Sequence, residues 1–345
     1  MSDRSSAFAP GRVNLIGEHT DYNDGLALPI AICQGVTVRA TTLANQTIIA
    51  QALELGDEDT FQLEWPIRVD GWRSFVRGAV AELRRAGISL RGATLQIRGD
   101  VPRGAGLSSS AAFEVALCLA LVALSGAPPP EKLELARLCS RVENEWVGAR
   151  TGLLDQIASL YGERNHALRI DFRSLEIRAV KLELDDFTLV ILDSGERHSH
   201  AESGYNDRRE ECARARQKLG LPSLREATVE MAELLEPPLA DRVRHVVSEN
   251  ARVEDSVEAL ARGDLQRFGE FLNDSHASLR DLFDVSTPAV EEAVARLTGA
   301  GAVGARVVGG GFGGSVLGLM PPGIEPPEAA IEVQAGPGAR LTENG

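Results

Sequence analysis

The sequence contains very little lysine. Its 345 residues include three lysines, Lys132, Lys181 and Lys218, against 33 arginines. A Walker-type phosphate-binding loop requires a lysine directly after a glycine. None of the three lysines follows a glycine, so the sequence excludes a P-loop nucleotide-binding site.

Cysteine pairs and long apolar runs are absent as well. The four cysteines, Cys33, Cys118, Cys139 and Cys212, show no C-x-x-C spacing, which predicts buried or idle thiols in a reducing compartment. The longest near-apolar stretch, Val115–Ala127, is too short to span a bilayer. The amino-terminal residues lack the apolar segment of a secretory signal. We therefore expect a cytoplasmic protein with no membrane partner.

The sequence also lacks positive charge overall. The formal net charge is 36 − 50 = −14, in a chain that is 43% hydrophobic and 25% charged. This composition is typical of a globular protein, and the negative charge argues against nucleic acid as a partner. A small phosphate ligand must then be bound by local groups, such as a helix N-terminus, a single arginine or a metal ion.

Strands and helices follow one another without a regular βαβ order. Short β-branched runs bounded by turn residues predict strands over Gly35–Thr42 and Thr47–Leu53. Apolar residues at helical spacing predict helices over Gly71–Gly87 and Glu131–Val147. We therefore assign the chain to the α+β class.

The length suggests two domains. We place their boundary near residue 180, which gives domains over 1–180 and 181–345. After Met320, the pairs Pro321-Pro322 and Pro326-Pro327 mark a short tail.

The first loop with chemical potential covers residues 9–25. Glu18, His19 and Asp21 lie there within four residues of one another. Carboxylates, an imidazole and amides in a small volume suit a polyhydroxylated ligand, because each hydroxyl both donates and accepts hydrogen bonds. The alternative is a surface turn whose side chains bond to their own backbone.

The second loop, residues 101–112, is rich in glycine and leads into a long apolar helix. Ser108, Ser109 and Ser110 fall at or just inside the start of that helix. Free N–H groups and the positive end of the helix dipole converge there, which favours an anion. A serine could also ligate Mg²⁺, and a plain serine N-cap is the alternative.

The third loop, Ala305–Ser315, contains five glycines. Its Gly309-x-Gly311-x-x-Gly314 spacing matches a dinucleotide fingerprint, but an apolar run and Pro321-Pro322 leave no room for the required helix. We predict a glycine hairpin that brings backbone close to a ligand, with a floppy turn between edge strands as the alternative.

A fourth segment, Gly148–Gln156, carries Asp155 in a polar loop flanked by glycine. This carboxylate could act as a base, a metal ligand or a helix N-cap. Among the histidines, His166 and His245 look like ordinary surface or helix residues.

Taken together, these segments resemble the GHMP small-molecule kinases, and within that family the branch that phosphorylates galactose. Gly11–Gly25 is similar to the sugar signature of that branch, and Pro102–Ala111 to the phosphate loop of the whole family. Gly309–Ser315 is similar to the third family motif, and Gly152–Gln156 to the Gly-Ile-Met-Asp-Gln segment. A further stretch, Arg197–Tyr205, agrees.

The resemblance implies a fold and a reaction. The implied fold has an S5-like N-terminal domain and a ferredoxin-like C-terminal domain, with the active site between them. The implied reaction is an ATP-dependent transfer to the anomeric hydroxyl of galactose, with Mg²⁺ as cofactor. By position, Asp155 falls on the catalytic base, and Arg12 on the residue that steadies the reacting hydroxyl and phosphoryl groups.

The resemblance also implies three sets of ligand-binding residues. The implied sugar contacts are Arg12, Glu18, His19, Asp21, Gly152, Asp155 and Tyr205. The implied ATP contacts are Gly104, Gly106, Leu107, Ser108, Ser109, Ser110 and Ala111, with the glycine loop at Gly309, Gly310 and Gly311. The implied metal ligands are Ser110 and Glu143, although Ser109 could replace Ser110.

Two other functions remain open at this point. The same fold could phosphorylate a related sugar, such as N-acetylgalactosamine, arabinose or a uronate. It could also serve as a non-catalytic sensor of sugar and ATP. In each case we expect small-molecule ligands and a monomeric protein.

Overall fold

The computed structural model describes residues 3–102, 106–196 and 201–342, and only the backbone of residues 201–203. The strands in this part of the chain are β1 (Arg4–Asn14), β2 (Leu26–Ala27), β3 (Pro29–Thr42), β4 (Thr47–Ala52), β5 (Asp57–Gln62), β6 (Ala93–Gly99), β7 (His166–Asp171), β8 (Glu176–Lys181), β9 (Thr188–Asp193), β10 (Gly304–Val307), β11 (Ser315–Met320), β12 (Ile331–Val333) and β13 (Arg340–Leu341). The α-helices are α1 (Trp72–Arg85), α2 (Ser109–Ser125), α3 (Lys132–Arg141), α4 (Leu154–Tyr161), α5 (Ala201–Leu219), α6 (Leu239–Ala261), α7 (Leu265–Asp281) and α8 (Pro288–Gly299). The predicted α+β class is confirmed. None of the described helices is long and apolar enough to cross a membrane.

The strands form three sheets. A six-stranded sheet has the order β13-β1-β3-β6-β4-β5, a four-stranded sheet the order β10-β11-β9-β12, and a three-stranded sheet the order β2-β7-β8. All pairings are antiparallel except that of β4 with β6. The register of β1 against β3 shifts between Pro10 and Arg12. This irregularity lies immediately beside Arg12, and bulges of this kind re-aim side chains next to active sites.

The longest apolar helix runs behind the six-stranded sheet. The side chains of α2 are buried almost all round, as expected of a helix in the interior of a layered domain. It packs on β1 and β3 and ends at Gly126, which has a φ of 75° and closes the helix in the left-handed conformation. The packing fixes the N-terminus of α2, and with it Ser108–Ser110, at one end of the sheet.

The structure differs from the sequence prediction in two elements. The segment Glu131–Val147 is not one helix, because α3 ends at Arg141 and Val142–Val147 forms a π-helical turn. Such turns are rare and occur frequently at functional sites. Strand β5 was not predicted, since its sequence is rich in charged residues. It lies at the edge of the sheet, where charged side chains are favourable.

The predicted tail is also more ordered than its prolines suggest. Residues 331–342, here called the C-terminal strap, pair with β9 through β12 and with β1 through β13. Between these strands, Gly336 donates to the carbonyl oxygen of Ala31 at 2.8 Å, and Gly338 to that of Gly162 at 2.7 Å. The strap thus joins the four-stranded sheet to the six-stranded sheet. The domain limits at residue 180 stay a prediction.

Candidate active site

A cavity of about 430 Å³ opens at the N-terminus of α2. Nearly all of the sequence-predicted ligand-binding residues line it: Arg12, Glu18, His19, Asp21, Gly106, Leu107, Ser108, Ser109, Ser110, Glu143, Gly152, Asp155, Tyr205, Gly309, Gly310 and Gly311. Ala111 does not, because it is fully buried within the first turn of α2. Gly104 and residues 197–200 lie outside the described residues. Segments separated by up to 300 residues in the sequence therefore meet at one place.

Asp155 lies in the first turn of α4 rather than in a loop. Its two carboxylate oxygens accept hydrogen bonds from Arg12, from Nε at 2.8 Å and from Nη2 at 3.0 Å. The Ser108 hydroxyl donates to the same carboxylate. The N-cap alternative for Asp155 is wrong, because the helix begins after Leu153. Ser108 does occupy the N-cap position of α2, but its side chain makes no capping hydrogen bond, so the plain N-cap alternative is wrong for this serine as well.

Arg12 reaches Asp155 because the second loop lies directly against β1. The backbone N–H of Arg12 donates to the carbonyl oxygen of Leu107 at 3.0 Å, and its Nη1 to that of Gly106 at 2.6 Å. A Cβ atom at Gly11 would lie 2.4 Å from the Leu107 oxygen. Only glycine at position 11 therefore allows the loop to approach so closely.

Two candidate metal ligands, Ser110 and Glu143, lie next to each other at the start of α2. The Ser110 hydroxyl donates to Glu143 Oε1 at 2.9 Å, and Glu143 is supplied by the π-helical turn. Thr151 and Gln156 donate to the other oxygen of Glu143, at 2.8 and 2.9 Å. Burial raises the pKa of Glu143, and the nearby negative charge of Asp155 adds to that shift. Ser109, in contrast, is exposed at the cavity, and the hydroxyl that contacts Glu143 is that of Ser110.

The first loop is buried, which contradicts the surface-turn alternative. Glu18 and His19 are 5% and 3% exposed. His19 Nε2 donates to the carbonyl oxygen of Gly310, and Nδ1 accepts from the Tyr22 hydroxyl at 2.8 Å. Burial lowers the pKa of His19 to about 3. The imidazole is therefore neutral, with its ring packed between those of Tyr205 and Phe283.

Asp21 and Gly152 lie against each other in the cavity wall. A Cβ atom at Gly152 would lie 2.0 Å from Asp21 Oδ2. Burial raises the pKa of Asp21 to about 6, with further contributions from the negative charges of Asp155 and Glu18. The position of the Asp21 carboxylate thus depends on the absence of a side chain at Gly152.

Sequence reasoning missed the residues of α6 that hold the first loop. His245, expected to be an ordinary surface or helix residue, is fully buried. Its Nε2 donates to the carbonyl oxygen of Glu18 at 3.1 Å. Glu249 accepts from the N–H of Gly17 at 2.9 Å, and Asn250 accepts from that of Leu26 at 2.7 Å. These contacts span more than 220 residues of sequence, and no local pattern reveals them.

The third loop forms a hairpin between β10 and β11, as predicted. Gly309 donates its N–H to Glu18 Oε1 at 2.8 Å. A Cβ atom at Gly310 would lie 2.9 Å from the ring of Tyr205, and one at Gly311 2.5 Å from Val285. The glycines therefore allow the hairpin backbone to form one wall of the cavity.

Three family models match the chain. They are the galactokinase galactose-binding signature over residues 2–42, the GHMP kinases N terminal domain over residues 74–163 and the GHMP kinases C terminal domain over residues 256–338. These ranges include the first loop, the second loop and the glycine hairpin.

Curated relatives match over most of their length. A galactokinase of Roseiflexus sp. (strain RS-1) is 42% identical over 323 residues, covering 90% of this chain and 82% of the relative. A galactokinase of Mycobacterium tuberculosis (strain ATCC 25618 / H37Rv) is 43% identical over 320 residues, covering 91% and 88%.

Solved structures give a similar result. The Lactococcus lactis galactokinase complexed with galactose has a TM-score of 0.90 and 31% identity, covering 98% of this chain and 95% of that one. The L. major mevalonate kinase in complex with R-mevalonate has a TM-score of 0.66 at 19% identity, covering 98% and 97%. The second likeness concerns the fold alone.

Proposed function

Because the chain belongs to the galactokinases of the GHMP kinase family and phosphorylates galactose with ATP, we propose that the cavity at the start of α2 is where this transfer occurs. The acceptor is the anomeric hydroxyl of galactose, and the products are galactose 1-phosphate and ADP. The observation that carries this proposal is the contact of Asp155 with Arg12 and Ser108 beside the helix N-terminus. One cavity then combines a proton acceptor with an anion-binding site.

The triphosphate binds along the second loop and the first turn of α2. The N–H groups at a helix start have no partner within the helix, and the helix dipole adds positive charge there. Gly106–Ser110 line the cavity at this point. Since the chain carries a net charge of −14, this local arrangement must offset the repulsion of a polyanion.

Mg²⁺ fits the oxygen donors at Ser110 and Glu143. A hydroxyl and a carboxylate are ligands that Mg²⁺ prefers, and the ion usually takes one or two carboxylates together with phosphate and water oxygens. Ser110 is the better candidate than Ser109, because it contacts Glu143 directly. When bound, the ion neutralises charge on the phosphates.

Asp155 accepts the proton of the sugar hydroxyl as the phosphoryl group is transferred. Arg12 holds the carboxylate in one orientation through two parallel hydrogen bonds. The guanidinium also lies beside the phosphate-binding loop through Gly106, where it stabilises charge on the transferred group. Phosphoryl transfer depends mainly on positioning and charge neutralisation, and both are met by this arrangement.

The sugar binds against the first loop, Gly152 and Tyr205. Glu18, His19, Asp21, Gly152 and Tyr205 all line the cavity, and the ring of Tyr205 packs on that of His19. Buried acceptors and donors of this kind discriminate strongly between sugars that differ by one hydroxyl. The monomeric state, the cytoplasmic location and the domain limits at residue 180 are further predictions of this assignment.

The test of the proposal is Asp155→Asn. The amide keeps the size of the side chain but accepts a proton poorly, so kcat should fall by roughly 10²–10⁴-fold, the usual contribution of a general base. The affinity for ATP, measured by calorimetric titration, should stay within about twofold of wild type if the role is confined to the proton.

Asp241→Asn is the matched control. Asp241 also lies in the first turn of a helix and pairs with an arginine, Arg244, at 2.8 Å, but it does not line the cavity. It should retain wild-type kcat. An Asp155→Asn enzyme with undiminished kcat would show that another group accepts the proton.

A further inference from the structure

Arg306 is a fully buried arginine in the middle of β10. It is 0% exposed. Its neighbours Ala305 and Val307 are also buried, but they belong to the apolar core on the other face of the sheet. Nη1 of Arg306 donates to the carbonyl oxygens of Asn14 and Leu15, at 3.0 and 2.7 Å. A buried charge requires a partner and hydrogen bonds, and Arg306 finds both at the first loop.

The ionic partner of Arg306 is Glu18. Nη2 of Arg306 lies 3.1 Å from Glu18 Oε1. The same oxygen accepts the N–H of Gly309 at 2.8 Å. Among the described residues, no hydrogen bond reaches the other oxygen, Oε2, while Glu18 lines the cavity. One carboxylate oxygen is therefore held from behind, and the other remains available to a ligand.

A free glutamate side chain has three rotatable bonds, and fixing them on binding costs free energy. Holding Oε1 between the Gly309 N–H and the Arg306 guanidinium lowers that cost before the ligand arrives. Arg306 also ties the backbone at Asn14 and Leu15 to the hairpin that supplies Gly309. The arginine thus connects the first loop to the glycine hairpin.

We propose that Arg306 is a positioning residue for sugar binding, which orients Glu18 so that its Oε2 accepts a hydroxyl of galactose. Arg306 itself does not line the cavity and acts only through Glu18. The inference rests on the proposed function, which makes Glu18 a sugar contact.

The experiment compares Arg306→Met with wild type in steady-state assays with galactose and ATP. Methionine fills much of the buried volume but lacks the positive charge and the planar guanidinium group. We expect KM for galactose to rise by roughly tenfold or more, with KM for ATP and kcat within about twofold, as for an interaction used equally in substrate and transition state. Arg306→Lys keeps the positive charge but loses the planar guanidinium geometry. Its KM for galactose should lie between those of wild type and Arg306→Met. If Arg306→Met does not fold, Arg306→Lys tests the proposal in its place.

Arg77→Met is the matched control. Arg77 pairs with Asp59 through two hydrogen bonds of 2.9 and 2.8 Å, is 9% exposed, and does not line the cavity. Its loss should lower thermal stability without changing KM for galactose. If both methionine variants raise KM for galactose equally, the effect is a general loss of stability and the proposal is overturned.

A double-mutant cycle with Glu18→Ala separates the inference from the proposed function. If Arg306 acts through Glu18, Arg306→Met should change KM for galactose by less than about twofold in the Glu18→Ala background. A full effect in that background would overturn the positioning role while leaving Glu18 as a sugar contact. A Glu18→Ala enzyme with wild-type KM for galactose would instead refute the sugar-binding role of Glu18, and the inference with it.

Discussion

At the scale of single residues, the carboxylate of Asp155 has little freedom to move. Arg12 and Ser108 contact it from two sides, and Arg12 is itself fixed by Leu107 and Gly106. The proposed role of Asp155 as proton acceptor gains from such constraint, because misplacement of the reacting groups by even about 1 Å can cost 10²-fold in rate.

Arg12→Lys should therefore impair catalysis. A lysine cannot span both Asp155 oxygens and the Gly106 carbonyl, and losing one charge-assisted hydrogen bond costs about 1.5–3 kcal/mol. We expect kcat at saturating substrates to fall by roughly 10- to 100-fold. Arg77→Lys, at the equally two-pronged contact with Asp59, should keep wild-type kcat. Equal kcat losses in both variants would assign the effect to folding rather than to the site.

Gly152→Ala should impair sugar binding. The added methyl group would lie 2.0 Å from Asp21 Oδ2, so the carboxylate must move out of position. We expect KM for galactose to rise by about tenfold, which corresponds to 1.4 kcal/mol, with little change in KM for ATP. Gly99→Ala, where the methyl group would lie 3.4 Å from the nearest side chain, provides the comparison. An unchanged KM in Gly152→Ala would mean that Asp21 does not contact the sugar.

At the scale of elements, helix α6 holds the sugar-binding loop in place. His245 and Glu249 are one helical turn apart and contact the backbone of Glu18 and Gly17. Burial lowers the pKa of His245 to about 4 from a usual 6.5, although Glu249 and the Glu18 carbonyl oppose the shift. The neutral imidazole then donates from Nε2 and accepts at Nδ1 from the Ser278 hydroxyl.

His245→Gln should change how stability depends on pH. The unfolded chain binds a proton on His245 below pH 6.5, but the folded protein does so only near pH 4. The stability that the neutral histidine contributes is thus complete above pH 6.5 and is lost as the pH falls towards 4. The gap between wild type and His245→Gln in the free energy of unfolding should shrink by about 1.4 kcal/mol per pH unit below 6.5. Urea titrations at pH 7.5, 6 and 5 measure it, and a gap that is constant with pH would contradict a buried neutral histidine.

The elements near the site differ in how far the sequence predicts them. Glu18, His19 and Asp21 are close in sequence and carry polar chemistry in one loop, so composition and spacing indicate them directly. Arg306, His245 and Glu249 contact groups that lie more than 220 residues away in the sequence. Each lies in a segment whose local pattern predicts only an ordinary strand or helix. The π-helical turn at Val142–Val147 was missed because its sequence continues the helical pattern of α3.

At the scale of the whole molecule, the C-terminal strap connects the two main sheets. It pairs with β9 at one end and with β1 at the other. Between the two, Asn165 donates to the carbonyl oxygen of Ala335 at 3.1 Å, and Ala339 to that of Ser159 at 2.8 Å. The strap thus fixes the segment around α4, whose first turn carries Asp155.

Gly338→Ala should loosen this connection. A Cβ atom at Gly338 would lie 2.9 Å from the carbonyl oxygens of Gly162 and Leu160. Since all of these atoms belong to the backbone, the strap must shift, and we expect a loss of roughly 1–3 kcal/mol in the free energy of unfolding. Gly299→Ala faces open space and should leave the thermal unfolding midpoint nearly unchanged. Equal midpoints in the two variants would show that the strap contributes little.

The position of the strap in the sequence has a consequence for biosynthesis. Strand β1 is translated more than 320 residues before its neighbour β13. During translation one edge of the nascent sheet therefore stays open, although β3 and β6 already cover the other side. Until β13 has been translated, that edge stays unpaired, and α4, which carries Asp155, lacks the contacts that the strap makes at Ser159 and Gly162.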